Sequence, residues 1–165
     1  MIDWLMNQDG VQEFGTDFTR LLVAVVLGGV LGIERQLHGR WAGIRTHMMV
    51  ALGAAIFTIA ALITAPNNSN EVTRVIQGIA AGIGFLGAGA ILKLSNELEV
   101  KGLTTASSIW LAAALGTVAG LGEYALAAAA GLISLLVLAV LRPLTKAIGK
   151  GNAPNKETSN VYEEI

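Results

Sequence analysis

Residues 48–65 read MMVALGAAIFTIAALITA, a run without one charged group. A helix needs roughly 20 mostly apolar residues to cross the hydrocarbon of a bilayer, and few soluble cores need such a run. The pattern recurs at Val75–Leu92, Gly102–Gly122 and Tyr124–Leu141. A first, shorter run, Leu21–Ile33, reaches crossing length only if its helix also carries Asp17, Arg20 and Glu34 near its ends. With 53% hydrophobic and only 14% charged residues, the chain falls outside the range of soluble domains. The expectation is an all-α polytopic membrane protein, a bundle of five transmembrane helices. Residues 1–16 form an extracytoplasmic leader, 17–146 the transmembrane domain and 147–165 a polar cytoplasmic tail, expected to be disordered. MIDWLMNQDG has neither the basic start nor the apolar core of a cleaved signal, so insertion is assigned to the spans themselves.

Lysine and arginine set the orientation. With residues 34–47 in the cytoplasm, five alternating spans place Arg35, Arg40, Arg45, Lys93, Lys101, Arg142, Lys146, Lys150 and Lys156 inside, against Arg20 and Arg74 outside. The N-terminus is then outside and the C-terminus in the cytoplasm. Pro66 ends the second span, and the Asn/Ser cluster after it is suited to cap the third. In the third, GIAAGIGFLGAGA, Gly78, Gly82 and Gly89 share a stripe with Phe85, while Gly84 and Gly87 lie nearly opposite. Small residues let backbones approach where lipid provides no hydrophobic drive between helices. Gly78, Gly82, Gly84, Gly87 and Gly89 are therefore candidate helix-packing positions, with the third span at the centre of the bundle.

Two polar clusters need an account, because an ionised group at mid-bilayer costs about 3 kcal/mol on insertion scales. Outside, Asp17 and Arg20 lie one turn apart; Glu71 and Arg74 repeat the spacing, with Gln77 one turn deeper. Two readings stand: arginines that snorkel to headgroups beside local acids, or one interhelical network at the mouth of an ion path. Inside, Glu34, Arg35, Arg40, Arg45, Thr46 and His47 surround the first hairpin, and Thr104 and Thr105 open the fourth span. The hydroxyls serve as caps, or the whole forms a site for an anionic ligand or an acidic partner surface. Trp41 is expected in the headgroup belt.

The chain has no Cys and only two His, and shows no His-Glu-x-x-His, Gly-x-Ser-x-Gly or phosphate-loop pattern. The expectation is no enzyme, no catalytic residue, no metal site and no cofactor. A net charge of −1 gives no reason to expect nucleic acid. The expected partners are the lipid bilayer, further copies in a homo-oligomer, and another membrane protein complex. A small oligomeric ion or solute transporter is the alternative to a regulatory bundle.

RLLVAVVLGGVLGIERQLHGRWAGIRTHMMVALGAAIF, RVIQGIAAGIGFLGAGAIL and VKGLTTASSIWLAAALGTVAGLGEYALA, in that order, resemble the signatures of the MgtC/SapB family of bacterial inner-membrane proteins. The resemblance covers about Arg20 to Leu141. Matching positions include Arg20, Gly32, Glu34, Arg35, Gln36, Arg40, Arg45, Thr46 and His47, then Arg74, Gly78, Gly82, Phe85, Thr104, Thr105 and Trp110. It implies five spans, an extracytoplasmic N-terminus and a bacterial inner-membrane location. Well-known members of this family are associated with growth at low magnesium and survival in macrophages, and are thought to modulate other membrane proteins, the rotary ATP synthase among them. Many add a soluble C-terminal domain; this chain is expected to comprise the transmembrane domain alone, so regulation assigned to that domain is not carried over.

Overall fold

The computed structural model describes residues 8–66, 68–93 and 100–149. Five helices follow one another: α1 Gln8–Leu37, α2 Ile44–Thr64, α3 Ser69–Gly89, α4 Leu103–Leu121 and α5 Tyr124–Gly149. A short antiparallel ladder of β1 (Leu92–Lys93) and β2 (Val100–Lys101) joins α3 to α4, pairing Leu92 with Lys101 and Lys93 with Val100. Four helices, α1 to α4, are long and apolar enough to cross a membrane; the apolar part of α5, Tyr124–Ala139, is shorter than that. The chain is thus an all-helical, multi-pass membrane protein. The proposed tail falls largely outside the described residues, as do Lys150 and Lys156.

Helix ends follow local chemistry. α1 is thirty residues long because the sequence from Gln8 onward stays helical, so much of the assigned leader is the first two turns of the first span's helix. Phe14 and Phe18, one turn apart, stack there with ring centroids 6.2 Å apart. At the other end Gly39 takes φ +64°, a left-handed conformation that glycine adopts without a Cβ penalty. Arg40 N–H then donates to the Arg35 carbonyl and Gly39 N–H to Gln36, closing a Schellman turn. α2 ends before Pro66, and the Asn68 side chain accepts from Asn70 N–H at 3.2 Å, capping α3 as the sequence indicated. Gly122, at φ +85°, closes α4 by a second Schellman turn through Gly122 N–H to Ala119 O and Glu123 N–H to Val118 O.

The centre of the bundle is α4 packed against α2, not α3. Over its apolar span α4 is 56% buried and α3 only 6%. α4 packs against all four other helices, whereas the main neighbours of α3 are α2 and α4. The glycines that bring backbones together are accordingly elsewhere. A Cβ on Gly116 would lie 2.1 Å from the Ala51 carbonyl oxygen, and one on Gly120 3.0 Å from Ala55 O. On α1, a Cβ at Gly28 would lie 2.6 Å from His47 O, and at Gly32 2.6 Å from Ile44 Cα. Each pair is spaced four residues apart, on one face of its helix, and both faces close on α2. By contrast, among the described residues a Cβ on Gly78, Gly82, Gly84 or Gly89 would have nothing within 4 Å, and one on Gly87 would meet only Ala106 Cβ at 3.8 Å. The expectation of a central third span fails because a small-residue stripe does not say whether its own chain supplies the neighbour.

These approaches set a test. Gly116→Ala is expected to destabilise the bundle by about 1–3 kcal/mol, the usual cost of overpacking. Gly82→Ala is expected to leave it unchanged or slightly more stable, since alanine is the better helix former. Equilibrium unfolding in mixed micelles distinguishes them; equal losses for both would contradict this packing.

Candidate functional site at the hairpin end of the bundle

The end of the bundle that carries the α1–α2 hairpin gathers most of the polar side chains singled out in the sequence. Glu34 and Arg35 form an ion pair through Arg35 Nε and Glu34 Oε2. Arg35 is only 3% exposed, so its stem is packed in the bundle while its charge is neutralised next door. His38 Nδ1 lies 2.9 Å from Glu34 Oε1, but its hydrogen bond is with Glu34's own carbonyl at 2.7 Å. Glu34 Oε1, shielded from solvent, therefore has no hydrogen-bond donor of its own. Removing Arg35 would leave the carboxylate enclosed with little compensation.

Opposite this pair stands His47, fully buried. Its Nδ1 is 2.8 Å from the Gly43 carbonyl, which only accepts, so Nδ1 carries a proton. Its Nε2 is 3.0 Å from Ser108 Oγ across the α2–α4 contact, and Ser108 Oγ is 2.8 Å from Thr105 O. Glu34 and Arg35 lie within electrostatic reach of the ring. Gly28 makes this position possible, because any side chain there would strike the His47 carbonyl. The Gln36 side chain accepts from Ile44 N–H at 3.3 Å, satisfying a free amide at the α2 start that Gly43 cannot cap. Three helices are thus tied together by polar bonds at one depth.

The remaining residues singled out at the hairpin end do not join this cluster. Arg40, Arg45, Thr46 and Thr104 are exposed, and Trp41 is 79% exposed beside them. Arg40 and Arg45 have no ion-pair partner among the described residues. Thr105 is buried and Thr104 is not, so the α4 hydroxyls are split between interior and surface. The outer cluster likewise resolves into separate pairs. Arg20 Nη1 reaches Asp17 at 3.3 Å within α1, and Arg74 Nη1 reaches Glu71 at 3.3 Å within α3. No network joins them among the described residues; the Arg20 guanidinium lies instead over Gly122 in the α4–α5 turn, where a Cβ would meet it at 3.4 Å. Gln77 is exposed on α3 without a partner among the described residues.

Sequence reasoning missed Ser108 as the partner of His47, since the two are 61 residues apart. It also missed the glycines that seat the ring. The available signal was Gly28-x-x-x-Gly32 and Gly116-x-x-x-Gly120, two small-residue pairs in the flanking spans. Among the described residues, no group of three or more His, Asp or Glu side chains is placed to hold a metal ion.

This architecture, a multi-pass helical bundle with a polar hairpin end, defines a class of membrane protein, and the comparisons make it specific. The model of the MgtC family matches residues 21–147, so the chain belongs to that family. It is 42% identical over 137 residues to protein SrpB of Synechococcus elongatus, covering 77% of this chain and 75% of that protein. It is 40% identical over 130 residues to protein MgtC of Salmonella typhimurium, covering 79% of this chain and 54% of that one. YhiD of Escherichia coli K12, named as a candidate magnesium transporter, is 39% identical over 132 residues, covering 76% of this chain and 60% of that one. The chain thus spans little more than half the length of the last two relatives. No solved structure matches it.

The His47–Ser108 bond gives the second test. Ser108→Ala leaves a buried ring nitrogen without its partner, and is expected to cost about 1–3 kcal/mol. In a double-mutant cycle with His47→Leu, the coupling is expected near 1 kcal/mol. Additive losses would show that the two side chains do not interact.

Proposed function

We propose that this protein is a membrane-embedded regulator, without enzymatic activity of its own, that acts on other membrane proteins in bacterial ion homeostasis. The name of the YhiD relative, and the link to growth at low magnesium that the family resemblance implies, support magnesium as the ion concerned. The basic hairpin faces the cytoplasm of a bacterial inner membrane, as the lysine and arginine bias favours. The observation that carries the reading is a rigid hairpin with free arginines. Arg40 and Arg45 project exposed and without ion-pair partners among the described residues. Behind them the Schellman turn, the Gln36 cap, the Arg35–Glu34 pair and the His47–Ser108 bond hold the backbone. A preorganised guanidinium pair suits an acidic protein surface or a phosphate group better than lysines would.

Conduction through one chain has less support. Inside the spans Thr58, Thr117 and Ser134 each donate to the carbonyl four residues back on their own helix. They spend their protons locally and do not form a polar file across the bundle. The name of YhiD favours transport as a second reading, with a route completed by several copies.

Purified protein in liposomes, together with affinity capture from its native membrane, separates the two. The regulatory reading expects no magnesium flux, and co-purification of a membrane complex that is lost in Arg40→Ala/Arg45→Ala while the stability of the bundle is unchanged. Saturable flux by the protein alone, abolished by Glu34→Gln, would overturn it in favour of transport.

A further inference from the structure

Between α2 and α3 runs a groove of about 620 Å³. Its floor is Ala54, Ile83 and Ala113, all buried, and its rims include Met49, Phe57 and Leu86, each more than half exposed. No side chain lining it carries a charge, a hydroxyl or an amide, so its interior suits an alkyl chain and nothing more polar. On α3 the lining runs from Val75 to Leu86, about 16 Å of helix. The hydrocarbon of one leaflet is about 15 Å deep, half of the whole. A helix 10 Å across would fill about 1,250 Å³ over the same length, twice the space present, so the groove takes a chain and not a helix.

The two ends of the groove differ in charge. At the hairpin end Arg45 lies four residues before Met49, on the same face of α2. Helical side chains lean toward the N-terminus, so its guanidinium extends beyond the apolar floor. Arg45 is exposed, with no ion-pair partner among the described residues, and the exposed Trp41 beside it marks this end as lying at headgroup depth. Glu34, the acid near it, is shielded and paired with Arg35. At the other end Arg74, next to Val75, is already held by Glu71 at 3.3 Å, a carboxylate that repels a second anion.

We infer that the groove and Arg45 together form a site for one anionic phospholipid from the leaflet on the hairpin side. One acyl chain fills the groove and the phosphate sits on the Arg45 guanidinium, whose planar donors match phosphate oxygens. The charge of the site selects the headgroup. A phosphate with an otherwise neutral headgroup is favoured, because an added ammonium finds no free carboxylate at that end among the described residues. The inference goes beyond the regulatory reading and stands without it: saturable magnesium flux would end that reading and leave lipid binding as it is.

The test is native mass spectrometry of the full-length protein in mild detergent, titrated with phosphatidylglycerol or with phosphatidylcholine. One phosphatidylglycerol is expected to be retained in preference to phosphatidylcholine. Arg45→Ala is expected to weaken phosphatidylglycerol about tenfold, the order of one lost charge-assisted contact, while Arg74→Ala leaves it unchanged. Gly53→Leu and Gly82→Leu fill the groove from its two walls, at positions where a Cβ meets nothing within 4 Å among the described residues. Either is expected to abolish retention of both lipids at an unchanged unfolding midpoint. Excess glycerol 3-phosphate, which has the phosphate but no tails, is expected not to compete. Competition by glycerol 3-phosphate, equal retention of the two lipids, a loss in Arg74→Ala in place of Arg45→Ala, or full retention in both leucine variants would each overturn the proposal.

Discussion

Everything at the centre of this bundle depends on how closely α2 is approached from two sides. Ala51 has no exposed surface, with Gly28 of α1 against its methyl group and Gly116 of α4 against its carbonyl. Helices in lipid gain nothing from merely being apolar, so contact at backbone distance is the available source of cohesion. One turn further toward the α3 end of α2 the arrangement repeats with Ala55 and Gly120, and Ala24 and Ala119 complete a layer of buried alanines. Where that contact is made, the helices have little freedom to slide. Their register therefore decides which polar groups meet at the hairpin end.

The polar cluster is a consequence of that register. His47 lies one turn before Ala51 on α2, and Ser108 two turns before Gly116 on α4, so fixing Ala51 against Gly116 brings ring and hydroxyl to 3.0 Å. Gly28 lets α1 close over the His47 carbonyl, and α1 then delivers Glu34 and Arg35 to the same end. The result is a stiff support beneath an exposed turn. Arg40 and Arg45 owe their setting to a framework in which the Arg35, His47 and Ser108 side chains are buried.

Much of this was legible before any coordinates. Helix-length apolar runs marked the five helices, four of them long and apolar enough to cross a membrane, Pro66 and Asn68 marked the α2–α3 break, and the motif blocks indicated the family that the comparisons establish. What escaped was partnership. The α3 stripe and the Gly28/Gly32 and Gly116/Gly120 pairs carry the same local signal, and only the tertiary path shows which of them meets a helix of its own chain. α1 was read too short because charged residues such as Asp9 and Glu13 interrupt hydropathy without interrupting a helix. Of the two readings left open for the Asp17/Arg20 and Glu71/Arg74 charges, local pairs are what is seen, since spacing along a helix constrains i to i+3 pairs but says nothing about contacts between helices.

Short-range distances around Ala51 test the central packing most directly. In bilayers, with labelled chains diluted in unlabelled ones, solid-state NMR is expected to show strong short-mixing 13C–13C cross-peaks from Ala51 to both Gly28 and Gly116, and none from Gly82 to another helix. Absence of the Ala51–Gly116 cross-peak, or a strong intramolecular cross-peak from Gly82 to α1, would contradict an α2-centred bundle.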